Sequence, residues 1–338
     1  MKQTEAIISA DPFGALADEG EEPGPESDIR LLQVGPDQHG RRLDKALVQS
    51  VPEFSRSYLQ QLLEGGLLCL NGKVCTKAAQ KVKAGDQLSL ELRPTPQSQA
   101  FKPEPMALAV VHEDAHILVI NKPPGLVVHP APGNWSGTLL NGLLAHAPCF
   151  GLVPRAGIVH RLDKDTSGLM VVAKTREAMD VLIKAISARE VSRQYLALAQ
   201  AAWSGPRNRT VDAAIGRDPR NRLRMAVVDL AHQPGKTART EFEWQAGDAH
   251  SCLVRCILHT GRTHQIRVHM AFIGHPLVAD SVYGGAPRYG MERQALHATR
   301  LAFRHPASGE ALQFDAPLPP DMQRAVAALG PALQSPLA

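Results

Sequence analysis

Cysteine is scarce: the chain has five among 338 residues, an odd number, and none forms a C-x-x-C pair. That argues against a disulfide framework. Cys252 and Cys256 share the apolar run Cys-Leu-Val-Arg-Cys-Ile-Leu and read as reduced core residues, as expected of a cytoplasmic protein. No run of about 18 uncharged apolar residues occurs, so no membrane-spanning helix is expected. Met1-Lys2 is not followed by an apolar segment, so no secretory signal is expected either. Gly-x-Gly-x-x-Gly is absent, which removes the usual phosphate cradle of a dinucleotide fold. His259, His264 and His269 are spaced by five, which does not align three imidazoles on one face, and no H-E-x-x-H accompanies them. A metal centre is therefore not expected. No internal repeat is visible.

Hydrophobic residues make up 44% of the chain and charged residues 21%, ordinary for a globular protein with a sizeable core. The net charge of +4 conceals an asymmetry. Residues 1–30 hold eight acids against Lys2 and Arg30, which leaves 35 Lys and Arg against 25 Asp and Glu in the rest. A basic body suits a polyanionic partner.

The acidic, Gly- and Pro-rich residues 1–30 read as a disordered tail. Residues 40–92 form a compact basic module. Leu43, Ala46 and Leu47 share a helical face. Ser55 then reads as an N-cap for a helix with Tyr58, Leu59, Leu62 and Leu63 on one side, ended by Gly65 and Gly66. Leu67–Leu70 and Lys73-Val74 flank the hairpin signal Asn71-Gly72. Arg42, Arg56, Lys73 and Lys77 are candidates for phosphate contacts, and the hydroxyl of Ser57 could join them. Such residues equally form an ordinary solvated surface. Residues 93–104 are Pro-rich and read as a linker, and residues 329–338 as a frayed C-terminal tail.

Between them, residues 105–328 show strand-like runs at 107–111, 117–120, 169–173, 195–199 and 252–258. Helical stretches lie near 137–146, 177–189 and 263–273. Ile266, Met270 and Ile273 give the last its apolar spacing, and Gly274 with Pro276 stop it. The order is not a βαβ repeat, so an α+β domain with a mixed, largely antiparallel sheet is expected.

The segment Gly157-Ile-Val-His160-Arg161-Leu-Asp163-Lys-Asp165-Thr166-Ser167-Gly168 sets a carboxylate between an arginine and a Thr-Ser-Gly turn, just before an apolar strand. Alone, an Asp there is most often a turn former. As a reactive carboxylate, Asp163 has a rival in Asp165. A glycosidase would want a second carboxylate as general acid, and only Asp165 is near.

This segment resembles the catalytic motif of pseudouridine synthases of the RluA type. Asn121-Lys122-Pro123-Pro124-Gly125-Leu126-Val127-Val128-His129-Pro130 is similar to that family's first motif, and Ser192-Arg193-Gln194-Tyr195-Leu196 to its tyrosine segment. His259-Thr260-Gly261-Arg262-Thr263-His264-Gln265-Ile266-Arg267-Val268-His269 is similar to its arginine segment. The basic module resembles an S4 RNA-binding domain, and the pairing points to the subgroup acting on large-subunit rRNA.

The resemblance implies a long bent sheet flanked by helices, with the active site in a cleft across its middle, plus a small α/β S4-like domain. It implies an isomerase that turns uridine into pseudouridine in structured RNA, most specifically clustered uridines in a hairpin of 23S rRNA. Such an enzyme breaks C1′–N1 and joins C1′ to C5, so it needs no cofactor, but the target base must leave its stack. The partner would be rRNA in the pre-ribosomal large subunit, met by a monomer.

Residue by residue, the resemblance assigns Asp163 as the catalytic carboxylate, Arg267 as the cation paired with it and Tyr195 as the proton-transfer group beside the uracil. Arg161 would fill the space left by the flipped nucleotide, Ile266 would pack on the base, and His264 and Lys122 would line the same region. The competing expectation is a non-catalytic RNA-binding or ribosome-assembly protein on the same fold. One departure is visible. Relatives usually read Gly-His-Pro-Leu-Val-Gly-Asp where this chain has Ala279 before Asp280; the extra methyl group is expected to tighten a turn.

Overall fold

The computed structural model describes residues 28–92, 100–131, 133–221 and 224–330, without the side chains of Asp28 and Ser57. The expected acidic tail before residue 28, the segment 93–99, and residues 331–338 lie outside the described residues. The chain divides into two compact units, Met1–Thr95 and Pro96–Ala338.

In the first unit, β1 (Asp28–Gln33), β4 (Gln87–Leu92), β2 (Leu68–Leu70) and β3 (Lys73–Val74) form an antiparallel sheet in that order. The helices α1 (Leu43–Ser50) and α2 (Arg56–Glu64) close over it. Their apolar stripes, Leu43, Ala46 and Leu47 with Leu59, Leu62 and Leu63, bury against Leu68, Leu88 and Leu90. Ser55 caps α2, its hydroxyl accepting from the Tyr58 N–H at 3.3 Å. Asn71 and Gly72 take φ of 49° and 75°, the left-handed pair that a two-residue turn needs to match strand twist. The sheet reaches further upstream than periodicity indicates. Asp28–Gln33 pairs along all six residues with β4, so residues 28–30, read as the end of the tail, belong to a strand.

The second unit is built on nine strands. The order is β5 (Val110–Glu113), β6 (Ile117–Lys122), β7 (Ser167–Ala173), β15 (Leu296–Arg304), β8 (Ser192–Gln200), β14 (Ser251–Leu258), β13 (Arg239–Gly247) and β9 (Asn208–Asp212). β16 (Ala311–Asp315) adds to β15. All pairings are antiparallel except β15 with β7. A separate three-stranded sheet joins β10 (Ile215–Arg217), β11 (Met225–Val227) and β12 (Gly235–Lys236). This is the mixed, largely antiparallel α+β architecture expected.

Strand alternation sends side chains to opposite faces. Leu118 and Ile120 of β6 pack with α3 (Leu139–His146), and Tyr195, Ala197 and Ala199 of β8 with Ile266 and Met270 of α5 (Gln265–Phe272). Ile117 and Val119 instead meet Ala178, Met179 and Leu182 of α4 (Arg176–Ala188), while Leu196 and Leu198 meet Met322 and Ala325 of α6 (Pro320–Ala327). The expected linker ends early: Ala100 is buried, and its carbonyl and that of Lys102 accept from the Asn141 amide at 3.3 and 2.8 Å. No helix among the described residues is long and apolar enough to cross a membrane.

Candidate active site

A cavity of about 510 Å³ opens in the second unit, between the loop before β7, the tyrosine strand β8 and the start of α5. It is lined by Arg161, Asp163, Tyr195, His264, Ile266 and Arg267, among others. Residues separated by as many as 106 positions in sequence thus meet on one wall. Among the described residues Asp163 is the sole carboxylate in the lining, and Arg155, Arg189, Arg193 and Arg262 make the lining positive. Asp165 does not line it.

The loop carrying Asp163 is pinned from both sides. Thr166 N donates to the Asp163 carbonyl at 3.1 Å, closing a turn. Lys122, 1% exposed, donates from Nζ to the carbonyls of Pro123, Leu126 and Lys164 at 2.8, 2.9 and 2.9 Å. Three carbonyls use all three ammonium protons. Burial pulls the Lys122 pKa down to about 7, against the opposing charges of Asp165 and Asp163. Lys122 is absent from the cavity wall. The substrate contact expected of it is therefore replaced by a hold on the backbone next to Asp163. On the other side Arg293 Nη1 donates to the Asp165 carbonyl at 2.8 Å while its Nε and Nη2 grip Asp321 at 2.7 and 3.0 Å.

Arg267 sits on the buried face of α5. Its Nε and Nη2 donate to the two carboxylate oxygens of Asp280 at 2.7 and 2.9 Å, a bidentate fork. Its remaining Nη1 donates to Asp163 Oδ2 at 3.1 Å. Burial acts to lower the Arg267 pKa, but the bonds and charges of Asp280 and Asp163 carry it above the ordinary arginine value. The guanidinium also lies 5.0 Å above the Tyr283 ring.

His264 precedes α5 in the left-handed region, φ 56°. The Tyr283 hydroxyl accepts from Met225 N at 3.1 Å and lies 2.9 Å from His264 Nδ1. The other ring nitrogen, Nε2, lies 3.9 Å from Asp163 Oδ1. Burial lowers the His264 pKa, partly opposed by Asp163. Tyr195 is 5% exposed, and burial drives its phenol up to about 12.

In the first unit, Arg42, Arg56, Lys73 and Lys77 are all exposed. Arg42 and Arg56 are not independent cations. Both donate to Asp44, at 3.0 and 3.1 Å, which holds their guanidinium groups side by side. The Ser57 side chain lies outside what is described.

Sequence reasoning assigned no role to Asp280, Tyr283, Arg193 or Arg293. The Gly-His-Pro-Leu run that leads to Ala279 is visible in the sequence, but nothing local says that Asp280 reaches back to α5. Among the described residues, no group of three or more His, Cys, Asp or Glu is placed to hold a metal ion.

The sequence matches the RNA pseudouridylate synthase family over residues 116–272 and the S4 domain over residues 41–88. It is 47% identical over 302 residues to the ribosomal large subunit pseudouridine synthase D of Neisseria meningitidis serogroup B, covering 86% of this chain and 79% of the relative. It is 44% identical over 328 residues to the protein of the same name from Xanthomonas campestris, covering 93% and 96%. Among solved structures it is similar to human RNA pseudouridylate synthase domain containing 1, with a TM-score of 0.50 and 27% identity over 66% of this chain and 90% of that one.

Proposed function

Because the chain belongs to the RNA pseudouridylate synthase family and carries an S4 domain ahead of the catalytic one, we propose that it converts uridines of large-subunit rRNA, clustered in a hairpin, to pseudouridine. It is an isomerase of the pseudouridine synthase class. The observation that carries the site assignment is the chain Asp280–Arg267–Asp163. A buried arginine anchored on one carboxylate presents Nη1 to the only carboxylate that lines the cavity among the described residues. That cation, 3.1 Å from Oδ2, faces the carboxylate that the reaction needs at C1′.

The target uridine flips out of its stack into the cavity, and Arg161 takes the space that it leaves. Asp163 acts at C1′ as nucleophile or as base and charge stabiliser while C1′–N1 breaks. The uracil turns between Ile266 and Tyr195, and C5 bonds to C1′. C5 must then lose its proton. A phenol pushed up to about 12 is protonated at physiological pH, so Tyr195 accepts the C5 proton only in concert with passing on its own, and the proton lost at C5 is balanced by the one that N1 gains. His264, with Nε2 facing Asp163, flanks that carboxylate. Arg42, Arg56, Lys73 and Lys77 hold RNA phosphates from the S4 domain. The chemistry is redox-neutral and transfers no group from outside, so no cofactor enters it.

The test is Asp163→Asn. Asp280 still anchors Arg267 in the variant, so the fold and RNA affinity should persist within a few-fold while product formation falls below detection. Pseudouridine is read by carbodiimide or cyanoethyl tagging of the RNA. Near-normal turnover by Asp163→Asn, or a dead Asp165→Asn, would overturn the assignment. Wild-type protein that binds RNA and leaves every uridine untagged would favour a pure binding role.

A further inference from the structure

Arg193 precedes Tyr195 by two residues on β8, so both side chains leave the strand on the same face, and both line the cavity. Arg193 is only 6% exposed, yet it has no carboxylate within ion-pair distance among the described residues, and its buried Nε has no hydrogen-bond partner. The other deeply buried cations beside the site have partners among the described residues: Arg267 pairs with Asp280 and Asp163, and Lys122 bonds three carbonyls. An unpaired buried guanidinium is costly, and such groups persist where a ligand completes them.

A second donor stands beside it. His160 lines the same cavity, and its Nε2 accepts from Val171 N at 3.1 Å. Burial, and then the charge of Arg193, push its pKa down to about 3, so the ring is neutral. Its one proton therefore sits on Nδ1, which is buried and also without a partner. Arg193 reaches toward the opening: a methyl group on exposed Gly261 would come within 2.8 Å of Nη1. The cavity wall thus holds two unmet donors, one of them charged, and the missing partner is an anionic acceptor. A neutral uracil carbonyl would satisfy a hydrogen bond and leave the charge bare. A phosphodiester oxygen satisfies both, and Arg155, Arg161, Arg189 and Arg262 around the same cavity raise the potential that draws it in.

We propose that Arg193 and His160 form a phosphate subsite in the wall of the catalytic cleft, which seats one backbone phosphate adjoining the reacting uridine. The proposal rests on the RNA-modifying reading above. It makes Arg193 a substrate-binding residue that places the flipped nucleotide by its backbone.

The test uses full-length protein and a short RNA carrying the target uridine, with a single neutral methylphosphonate placed in turn at each flanking linkage. Wild-type affinity should fall about tenfold or more at one linkage. Arg193→Gln should lose a similar factor on native RNA, lose nothing further at that linkage, and flatten the slope of log Kd against log salt by about one. Arg193→Lys should recover part of the loss. The unfolding temperature of free Arg193→Gln should be unchanged or higher, because an unpaired charge has been removed. Native affinity and slope in Arg193→Gln would overturn the subsite. So would losses that add in full at every linkage, or a large drop in unfolding temperature with an unchanged slope, which would mark a structural role. Wild-type protein that binds this RNA but makes no pseudouridine would sink the functional reading while the linkage scan still decides the subsite; a wild type that binds no RNA sinks both.

Discussion

Arg267 donates to three carboxylate oxygens, and two of those oxygens belong to Asp280, which no local motif connects to it. The neighbour of Asp280 explains why the sequence is unusual there. Ala279 adopts φ 59° and is 8% exposed. A Cβ in the left-handed region costs about 1–2 kcal/mol, and glycine gives back about 0.5–1 kcal/mol of that through its larger unfolded entropy. Ala279→Gly should therefore raise stability by about 0.5–1 kcal/mol and leave turnover unchanged, because the Asp280–Arg267 fork does not use the methyl group. Chemical denaturation and steady-state kinetics check this. A loss of stability would mean that the methyl's packing against the Leu196–Leu198 cluster outweighs the backbone strain. The expected tightening of a turn was legible from the sequence, but its sign, strain in the left-handed region, needed the backbone. Asp163, Tyr195, Ile266 and Arg267 were likewise legible as motif positions, and they do line one cavity. Lys122 was legible only as a conspicuous lysine. That it grips three carbonyls beside Asp163 depends on a loop closing over it from 42 residues away.

In the second unit the strands found in the sequence are the apolar ones, β6, β7, β8 and β14, while the run at 107–111 meets β5 only at Val110 and Val111. The strand between β7 and β8 was not. Leu-His-Ala-Thr-Arg-Leu-Ala-Phe-Arg of β15 mixes histidine and arginine with apolar residues, so neither alternation nor a solid run marks it. Several of its polar side chains find partners on neighbouring strands: His297 Nδ1 meets the Ser167 hydroxyl at 2.9 Å, and Arg300 donates to Asp315 at 2.6 Å. β15 supplies the one parallel pairing, His297 with Ser167 and Ala298 with Gly168. Gly168 makes that approach possible. It takes φ 117°, and a Cβ there would lie 2.3–2.7 Å from the backbone O, N and Cα of Ala298. Backbone cannot move aside as a side-chain tip can. Gly168→Ala should cost about 3 kcal/mol or more, since it adds strain at a special φ to overpacking. Because Gly168 stands five residues from Asp163, surviving folded protein should also lose turnover. Denaturant melts of the variant decide the matter; a native midpoint would show that β7 and β15 separate freely at this point.

Each unit of the chain has its own core, one around Leu43, Leu59 and Leu88 and the others around the nine-stranded sheet. The second unit also buries histidines that burial keeps neutral: His160 near 3 and His297 near 4. Both values lie below the unfolded one, so as pH falls under about 6.5 the unfolded chain takes up protons that the folded one refuses. Stability should be lost between about pH 6.5 and 4, at up to about 1.4 kcal/mol per pH unit for each such histidine. A thermal midpoint that is flat from pH 7 to 4.5 would contradict this.

The two separate cores also say where the chain can be cut. The Pro-rich segment reads as a linker, yet Asn141 of α3 already binds the carbonyls of Ala100 and Lys102, and Glu104 Oε2 accepts from Gly137 N at 2.7 Å. Removal of residues 1–95 should leave a folded catalytic unit, whereas removal of residues 1–105 should strip those partners from a buried amide and destabilise it. With Asp163, Tyr195, Arg193 and Arg267 all retained, the shorter truncation should still modify a minimal RNA at saturation. Its KM should rise, and its salt dependence should flatten, because Arg42, Arg56, Lys73 and Lys77 are gone. Single-turnover kinetics at several salt concentrations, on protein checked by circular dichroism, measure both effects. A folded 96–338 fragment that is inactive at saturating RNA would mean that the S4 domain helps build the active site, and an unchanged KM and salt slope would remove it as the RNA handle.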